Sequence, residues 1–219
     1  MSPRSSGAAR APRKPPLEEA ILDAAEVLFS RHGPDGVSLR QIAAAAGSSN
    51  HFAVQYHFQN KQRLIREIFE RRLRSLEAKR GRLLAAVSRQ GRDRDVRSLL
   101  EVLLRPIADE RDAFGKRSYA AFLLGLRVFS QVGEHWAGSR DAAPLTQHVT
   151  DLLRAASRPL PELVFNDRLM AAVTVFLAAA VDCDRRGAAG RTVRGSEERY
   201  LQRSLDFGAA GMLSRDGLS

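Results

Sequence analysis

Apolar residues recur along most of the chain three and four positions apart, the spacing that places them on one face of an α-helix. The first such stripe covers residues 17–32, between Pro16 and Gly33, which suit the start and the end of a helix. Another follows Asn60, a residue that can cap a helix, and continues to about residue 82. The alternation of apolar and polar residues that would indicate strands is missing. The chain is therefore predicted to be all-α.

The same periodicity predicts five further helices in the rest of the chain. They cover residues 94–108, 112–136, 141–156, 162–186 and 196–213. A polar, glycine-rich run at residues 184–195 is predicted to be the loop before the last helix.

The stretch from residue 37 to residue 58, VSLRQIAAAAGSSNHFAVQYHF, has the pattern of a helix-turn-helix. Ser38 and Gln41 are spaced as a capping box, in which each side chain satisfies a backbone N–H of the first turn. Gly47 suits the end of this helix, because a sharp turn needs a positive φ, and Ser48 or Ser49 can cap the next helix. That second helix is short and polar, as in proteins that read the major groove of DNA.

The charge of the chain favours a polyanionic partner. The formal net charge is +10, and residues 1–80 hold 14 Lys and Arg against 8 Asp and Glu, whereas residues 81–219 hold 21 against 17. The basic excess is therefore denser around the helix-turn-helix, as expected for a nucleic-acid-binding domain, although an arginine-rich proteome would also raise the charge. The basic arm at residues 1–16 is predicted to be disordered, and it either stays solvated or lies along phosphates.

The compartment is predicted from three features. The single cysteine, Cys183, excludes an intrachain disulfide. No run of about 18 apolar residues is present, and the N-terminus lacks the apolar segment of a secretory signal. We expect a soluble, cytoplasmic protein that does not contact a membrane.

Three segments together resemble the TetR family of transcriptional regulators: ILDAAEVLFSRHG at 21–33, VSLRQIAAAAGSS at 37–49 and YHFQNKQRLIREIF at 56–69. The resemblance implies a homodimer that binds a palindromic operator in double-stranded DNA and usually represses. It also implies a C-terminal cavity for a small-molecule effector. The chain would then comprise the arm at 1–16, a DNA-binding head of three helices at 17–60, a connecting helix at 61–82, and a helical bundle for ligand binding and dimerisation at 83–219.

Some roles follow from the resemblance by position. Ser38 and Arg40 correspond to residues with which the family's second helix touches the DNA backbone. His57, Phe58 and Lys61 match the family's H-F-x-x-K, in which the lysine contacts phosphate.

The recognition helix departs from the common family form, because it is one residue longer and has Gln55 where many members have a tyrosine. Asn50, His51 and Gln55 are predicted to reach base edges, since Asn and Gln amides can pair bidentately with adenine. Tyr56 and Lys61 are predicted to reach phosphates. The full set of predicted DNA contacts is Ser38, Arg40, Ser49, Asn50, His51, Gln55, Tyr56, His57 and Lys61.

The last two predicted helices are more apolar than an exposed pair needs, so we expect a two-fold dimer interface, with packing inside the subunit as the alternative. The candidate interface residues are Leu169, Val173, Leu177, Leu201, Leu205, Gly208 and Met212. The aromatic helix at 112–136 suggests a pocket for an apolar or aromatic effector, with core packing as the alternative. Its candidate residues are Phe122, Leu126, Phe129, Met170 and Phe176.

No catalytic residue, metal site or cofactor is predicted. The chain lacks the motifs of serine hydrolases, zinc proteases, dinucleotide-binding proteins and P-loop NTPases, and its five histidines show no ligand spacing. The main hypothesis is a dimeric, sequence-specific repressor released by an effector. The alternatives are an effector-independent architectural DNA-binding protein, and an all-helical enzyme or carrier in which the head only packs.

Overall fold

The computed structural model describes residues 16–129, 143–157, 159–190 and 195–215. Within these ranges the chain is all-α, as predicted, with nine helices and no strand. The helices are α1 (Leu17–His32), α2 (Leu39–Ala45), α3 (Ala53–Phe58), α4 (Lys61–Arg89), α5 (Val96–Asp109), α6 (Ser118–Phe129), α7 (Pro144–Ala156), α8 (Glu162–Ala188) and α9 (Ser196–Leu213).

The extents of several helices differ from those predicted. The bounds of α1 and α9 agree with the prediction, whereas α4 and α8 run further, to Arg89 and Ala188. The predicted helix at 112–136 begins only at Ser118. A tight turn precedes it, in which the Asp112 carboxylate accepts from the amides of Phe114 and Lys116. The predicted end of this helix, and the first residues of the one predicted at 141–156, lie outside the described residues.

One apolar core runs through the head and the C-terminal helices. Helix α1 packs along α6, where the rings of Phe29 and Phe122 stack with their centroids 6.1 Å apart. At Gly125 the two helices are close enough that a Cβ would make an ordinary van der Waals contact, 3.7 Å, with the carbonyl oxygen of Phe29. Helix α1 therefore belongs to the head and also forms part of the interior of the C-terminal domain.

A buried ionic cluster joins α1, α4 and the segment between α5 and α6. The Glu26 carboxylate, only 1% exposed, accepts two hydrogen bonds from Arg72, at 2.8 and 2.7 Å, and one from the Ser118 hydroxyl at 2.9 Å. Arg72 also donates to Glu110 at 3.0 Å, and Lys79 donates to the same carboxylate at 2.6 Å. We call these five residues the Glu26 cluster.

The charges in the Glu26 cluster stabilise each other. Burial alone would lower the pKa of Arg72, but the hydrogen bond and charge of Glu26 outweigh it and raise that pKa. Burial alone would likewise raise the pKa of Glu110, but the hydrogen bond and charge of Lys79 outweigh it and lower that pKa. The cluster is therefore a set of paired charges, which is the condition under which burial of ions is tolerated.

A second buried arginine fixes α4 to α5 and α7. Arg80 donates two hydrogen bonds to the carbonyl of Leu103, at 3.2 and 3.0 Å, and one to the Thr146 hydroxyl at 2.7 Å. Burial lowers the pKa of Arg80, and the nearby Glu77 carboxylate only partly offsets this effect. Helix α4 is thus held by polar contacts along much of its length.

The seven candidate interface residues are buried inside the subunit, which favours the alternative prediction, packing within the subunit, for these side chains. Helices α8 and α9 pack closely against each other and against α5, and a Cβ at Gly208 would lie 3.1 Å from that of Ala172. The apolar stripes of α8 and α9 therefore form the internal core. The residues concerned are Leu169, Val173, Leu177, Leu201, Leu205, Gly208 and Met212.

One helix in the described part of the chain, α8, is long and apolar enough to cross a membrane by length and composition alone. Its most apolar window is 44% buried inside the chain. The core helix of a soluble protein meets the same criterion.

Candidate DNA-binding surface

The predicted capping box at the start of α2 is confirmed. The Ser38 hydroxyl accepts from the Gln41 amide at 3.2 Å, and the Ser38 amide donates to the Gln41 side chain at 2.8 Å. The hydroxyl also donates to Gln41 at 2.8 Å. Because both donors of Ser38 are used inside the box, this residue positions α2 rather than offering a free donor to a phosphate.

The turn after α2 is a Schellman motif. Gly47 has a φ of 74°, and its amide donates to the carbonyl of Ala44 while the Ser48 amide donates to that of Ala43. These bonds satisfy carbonyls at the end of α2. The predicted role of Gly47 in ending the helix is confirmed.

The start of α3 differs from the prediction. Neither Ser48 nor Ser49 caps the helix, which begins at Ala53 after a further turn. In this turn Ser48 Oγ accepts from the Asn50 amide at 3.2 Å, and Asn50 Oδ1 accepts from the Phe52 amide at 2.9 Å. This turn occupies the residues between Gly47 and Ala53, so α3 itself is only six residues long.

Helix α3 has one buried and one exposed face. Ala53 and Val54 are buried against the rest of the head. Phe52 is exposed, and so are Gln55 and Tyr56, which lie one turn further along, three and four positions after it. Phe52 was not among the predicted contacts, and the structure adds it to the exposed face.

A strained turn connects α3 to α4. Gln59 has a φ of 62° and a ψ of −53°, and the Asn60 amide donates to the carbonyl of Phe58 at 2.6 Å. This is a γ-turn of the uncommon, strained kind. Asn60 then caps α4 by accepting from the Arg63 amide at 2.8 Å, as predicted. Such a turn leaves little freedom in the angle between the two helices.

Two further predicted contacts have partners inside the head. Lys61 Nζ donates to the carbonyl of Pro34 at 2.7 Å, which ties the start of α4 to the turn after α1. His57 Nδ1 lies 2.9 Å from a carboxylate oxygen of Glu18 in α1. The structure therefore gives both residues a positioning role.

The other predicted contacts are exposed to solvent. Arg40 projects from α2, Ser49 and His51 lie in the turn, and Gln55 and Tyr56 lie on α3. In the described part of the chain, no hydrogen bond holds the Gln55 amide group.

The charge around α2 and α3 has one sign. Residues 36–66 include four Lys and Arg residues and no Asp or Glu. This stretch covers α2, the turn, α3 and the first residues of α4. A surface of this kind attracts a polyanion and repels acidic partners.

The candidate effector residues occupy α6 and α8, two helices that contact each other. Phe122, Leu126 and Phe176 are buried, and Met170 is partly buried against the core. The Phe129 side chain lies outside the described residues. Since Phe122 already packs on Phe29, it serves the joint between α1 and α6, and its place in a pocket stays a prediction.

Among the described residues, no group of His, Cys, Asp and Glu could hold a metal ion. The exposed surface of α2, α3 and the turn between them carries hydrogen-bonding, aromatic and cationic side chains. These features define a DNA-binding protein of the helix-turn-helix class.

Comparison with known proteins identifies the family that the head resembles. Residues 21–68 match the family described as bacterial regulatory proteins, tetR family. The head thus matches the DNA-binding domain of the TetR family, as the sequence resemblance predicted.

The fold has a relative among solved structures. A crystal structure of a protein assigned to the tetR family of transcription regulators, from Shewanella sp. PV-4, matches with a TM-score of 0.62. The match covers 92% of this chain and 100% of the other, at 20% sequence identity. At this identity the likeness shows a shared fold. No curated protein matches the chain in sequence.

Proposed function

We propose that this protein is a homodimeric repressor that binds a palindromic operator and leaves it when a small apolar or aromatic molecule enters its C-terminal domain. The observation that carries the proposal is the acid-free surface of α2 and α3, from which Arg40, Gln55 and Tyr56 project. Arginine and tyrosine suit phosphates, and the glutamine amide suits a base edge. Such a regulator acts in the cytoplasm, where the DNA is.

The experiment that tests this function is selection of bound duplexes from a random DNA pool at roughly 0.15 M salt, where non-specific phosphate binding is already weakened. Recovery of a palindrome supports a dimeric, operator-reading regulator. Binding without a motif that disappears with salt favours the architectural alternative, and absence of binding favours the enzyme or carrier alternative.

Dimerisation is proposed through the outward faces of α8 and α9, in place of the buried stripes. Leu163 on α8 and Phe207 and Leu213 on α9 are large apolar side chains that this subunit leaves exposed. Nothing lies within 4 Å of a Cβ at Gly211, so a partner helix could approach there. A two-fold axis between such faces would match the symmetry of a palindrome.

We expect Phe207→Asp to convert the dimer to a monomer, because a buried, unpaired carboxylate at the interface is strongly unfavourable. Sedimentation equilibrium should give half the mass of the wild type. Phe114→Asp is the matched control, since Phe114 is similarly exposed, 74% against 67%, but lies in the turn before α6. A Phe207→Asp variant that remains dimeric would place the interface elsewhere.

Release by an effector is proposed to be a population shift. A ligand that favours one arrangement of the C-terminal helices changes operator affinity by its preference for that arrangement, and typical couplings are about 1–3 kcal/mol. The α1–α6 contact and the Glu26 cluster supply the physical connection, because both join the head to the C-terminal helices. The helix that starts after Asn60 would then move the two heads away from the operator spacing.

We expect Lys61→Ala to weaken binding to all DNA sequences alike and to reduce the salt slope of binding by about 1. The physical reason is the loss of one cation beside the DNA-facing helices. The measurement is Kd at several salt concentrations. Lys116→Ala, an equal loss of charge in the turn before α6, is the control and should leave the slope unchanged. An equal loss of affinity at low and high salt would instead leave Lys61 only its positioning bond to Pro34.

A further inference from the structure

Two large aromatic side chains, Phe52 at the N-cap of α3 and Tyr56 within it, are exposed on the same side of the helix. Phe52 is 72% exposed and Tyr56 is 82% exposed. They are one helical turn apart and therefore neighbours on the same face. Exposing a phenylalanine ring is unfavourable, and apolar groups placed together at the surface commonly mark a binding site.

Hydrogen bonds hold the backbone that carries Phe52 before anything binds. Its amide donates to Asn50 Oδ1, and the amide of Ala53 donates to the Asn50 carbonyl at 3.1 Å. Ser48 Oγ in turn accepts from the Asn50 amide and donates to the Asn50 carbonyl at 3.1 Å. The backbone on both sides of the ring is therefore held by hydrogen bonds, which reduces the entropy lost on binding.

The surroundings of the pair indicate which partner it fits. Gln55 lies between Phe52 and Tyr56 in the sequence and on the same exposed face, and residues 36–66 contain no acid. An apolar pair within a basic, hydrogen-bonding surface fits a polyanion that also presents apolar groups. In the major groove of DNA such a group exists on one base only, the C5-methyl group of thymine.

We propose that Phe52, supported by Tyr56, makes an apolar contact with the C5-methyl group of a thymine in each operator half-site. This inference rests on the proposed operator binding and names a specificity-determining residue within it. Phe52 reads the methyl group, while Gln55 is left to read hydrogen-bonding groups on an adjacent base pair. Asn50 acts in the same recognition as a positioning residue, since its side-chain oxygen holds the turn that carries Phe52.

The test uses the full-length protein and the operator recovered by selection from random DNA. Each thymine is replaced in turn, symmetrically in both half-sites, by deoxyuridine, which lacks only the methyl group. Fluorescence anisotropy then gives Kd for the wild type and for Phe52→Ala. At one position per half-site the wild type should lose about fourfold in affinity per methyl group removed. Phe52→Ala should bind the thymine and uracil operators equally.

Controls separate the methyl contact from other effects. Phe114→Ala, which removes an equally exposed ring far along the chain, should keep the full difference between thymine and uracil. Phe52→Leu, which retains an apolar side chain, should keep part of it. Thermal unfolding of Phe52→Ala should match that of the wild type, because the ring is exposed.

Three outcomes would overturn the inference that Phe52 contacts a thymine methyl group. A wild type that is insensitive to uracil at every position overturns the inference and leaves the proposed function intact. A Phe52→Ala variant that keeps the wild-type difference overturns it as well. If selection recovers no operator at all, the proposed function fails first and this inference falls with it.

Discussion

Replacing Glu26 with alanine is expected to reduce the free energy of unfolding by about 3 kcal/mol, because the change leaves the partly buried Arg72 guanidinium without its bidentate partner. Glu26 is 1% exposed and accepts from Arg72 and Ser118 at 2.7–2.9 Å. The value is near the lower end for a broken buried pair, since Arg72 retains Glu110. Urea unfolding at pH 7, followed by circular dichroism, measures the change.

Two comparisons make the Glu26 result specific. Glu70→Ala removes an exposed carboxylate from α4 and should change stability by no more than about 0.5 kcal/mol. Glu26→Gln, which keeps the shape and can still accept hydrogen bonds, should be less destabilising than Glu26→Ala. Equal stability of Glu26→Ala and Glu70→Ala would mean that the Glu26 cluster contributes little to the joint between the head and the C-terminal helices.

Phe122→Ala is expected to destabilise the protein by about 3–5 kcal/mol, the usual loss for a large aromatic side chain removed from a packed core. Phe122 is fully buried and contacts Phe29 of α1 and Tyr119 of α6, with ring centroids 6.1 and 6.0 Å apart. The cavity would open between the head and the C-terminal domain. The same urea experiment measures the effect.

Phe114→Ala is the matched comparison for Phe122→Ala, because it removes the same side chain from an exposed position. It should stay within about 0.5 kcal/mol of the wild type. A small effect of Phe122→Ala, together with binding of an aromatic ligand at the vacated position, would instead favour the sequence-based prediction that Phe122 lines the effector pocket.

Much of the fold could be predicted from periodicity and caps. The start of α1 after Pro16, the capping box of Ser38 and Gln41, and the cap at Asn60 are local signals, and each lies where it was predicted. Periodicity failed where a polar turn interrupts a helical pattern, as at Asp112, whose carboxylate takes two backbone amides that a helix would otherwise use.

The recognition turn was harder to predict because its residues can play two parts. Ser48 and Asn50 are good helix caps by type, but here they bond to each other and build a separate turn. That turn moves the start of α3 to Ala53 and brings Phe52 to the surface. A single sequence cannot distinguish these uses, since the same hydrogen-bonding groups suit both.

The sequence left two alternatives open for the apolar stripes of α8 and α9 for a related reason. An apolar stripe shows that a helix face is covered, but not whether its own chain or a partner covers it. In α8 and α9 the strongest stripes, including Leu169 and Leu205, pack inside the subunit. The faces left for a partner are marked by single large residues such as Phe207, which periodicity alone does not separate from an ordinary exposed side chain.

Helix α4 is long, and the recognition helix α3 lies next to its N-terminal end, so a small rotation of α4 gives a large displacement of α3. Its 29 residues extend over about 43 Å at about 1.5 Å per residue. The strained turn at Gln59 and the hydrogen bond from Lys61 to Pro34 fix the head to the N-terminal end of α4, so that the two move together. A tilt of about 5° over this length moves the head by roughly 4 Å, more than the rise of about 3.4 Å between successive base pairs. Because Arg72 and Arg80 bond α4 to the C-terminal helices and Phe29 of α1 packs on α6, such a tilt would accompany a rearrangement of those contacts. A change among the C-terminal helices would therefore shift the recognition helix by a distance comparable to the spacing of base pairs.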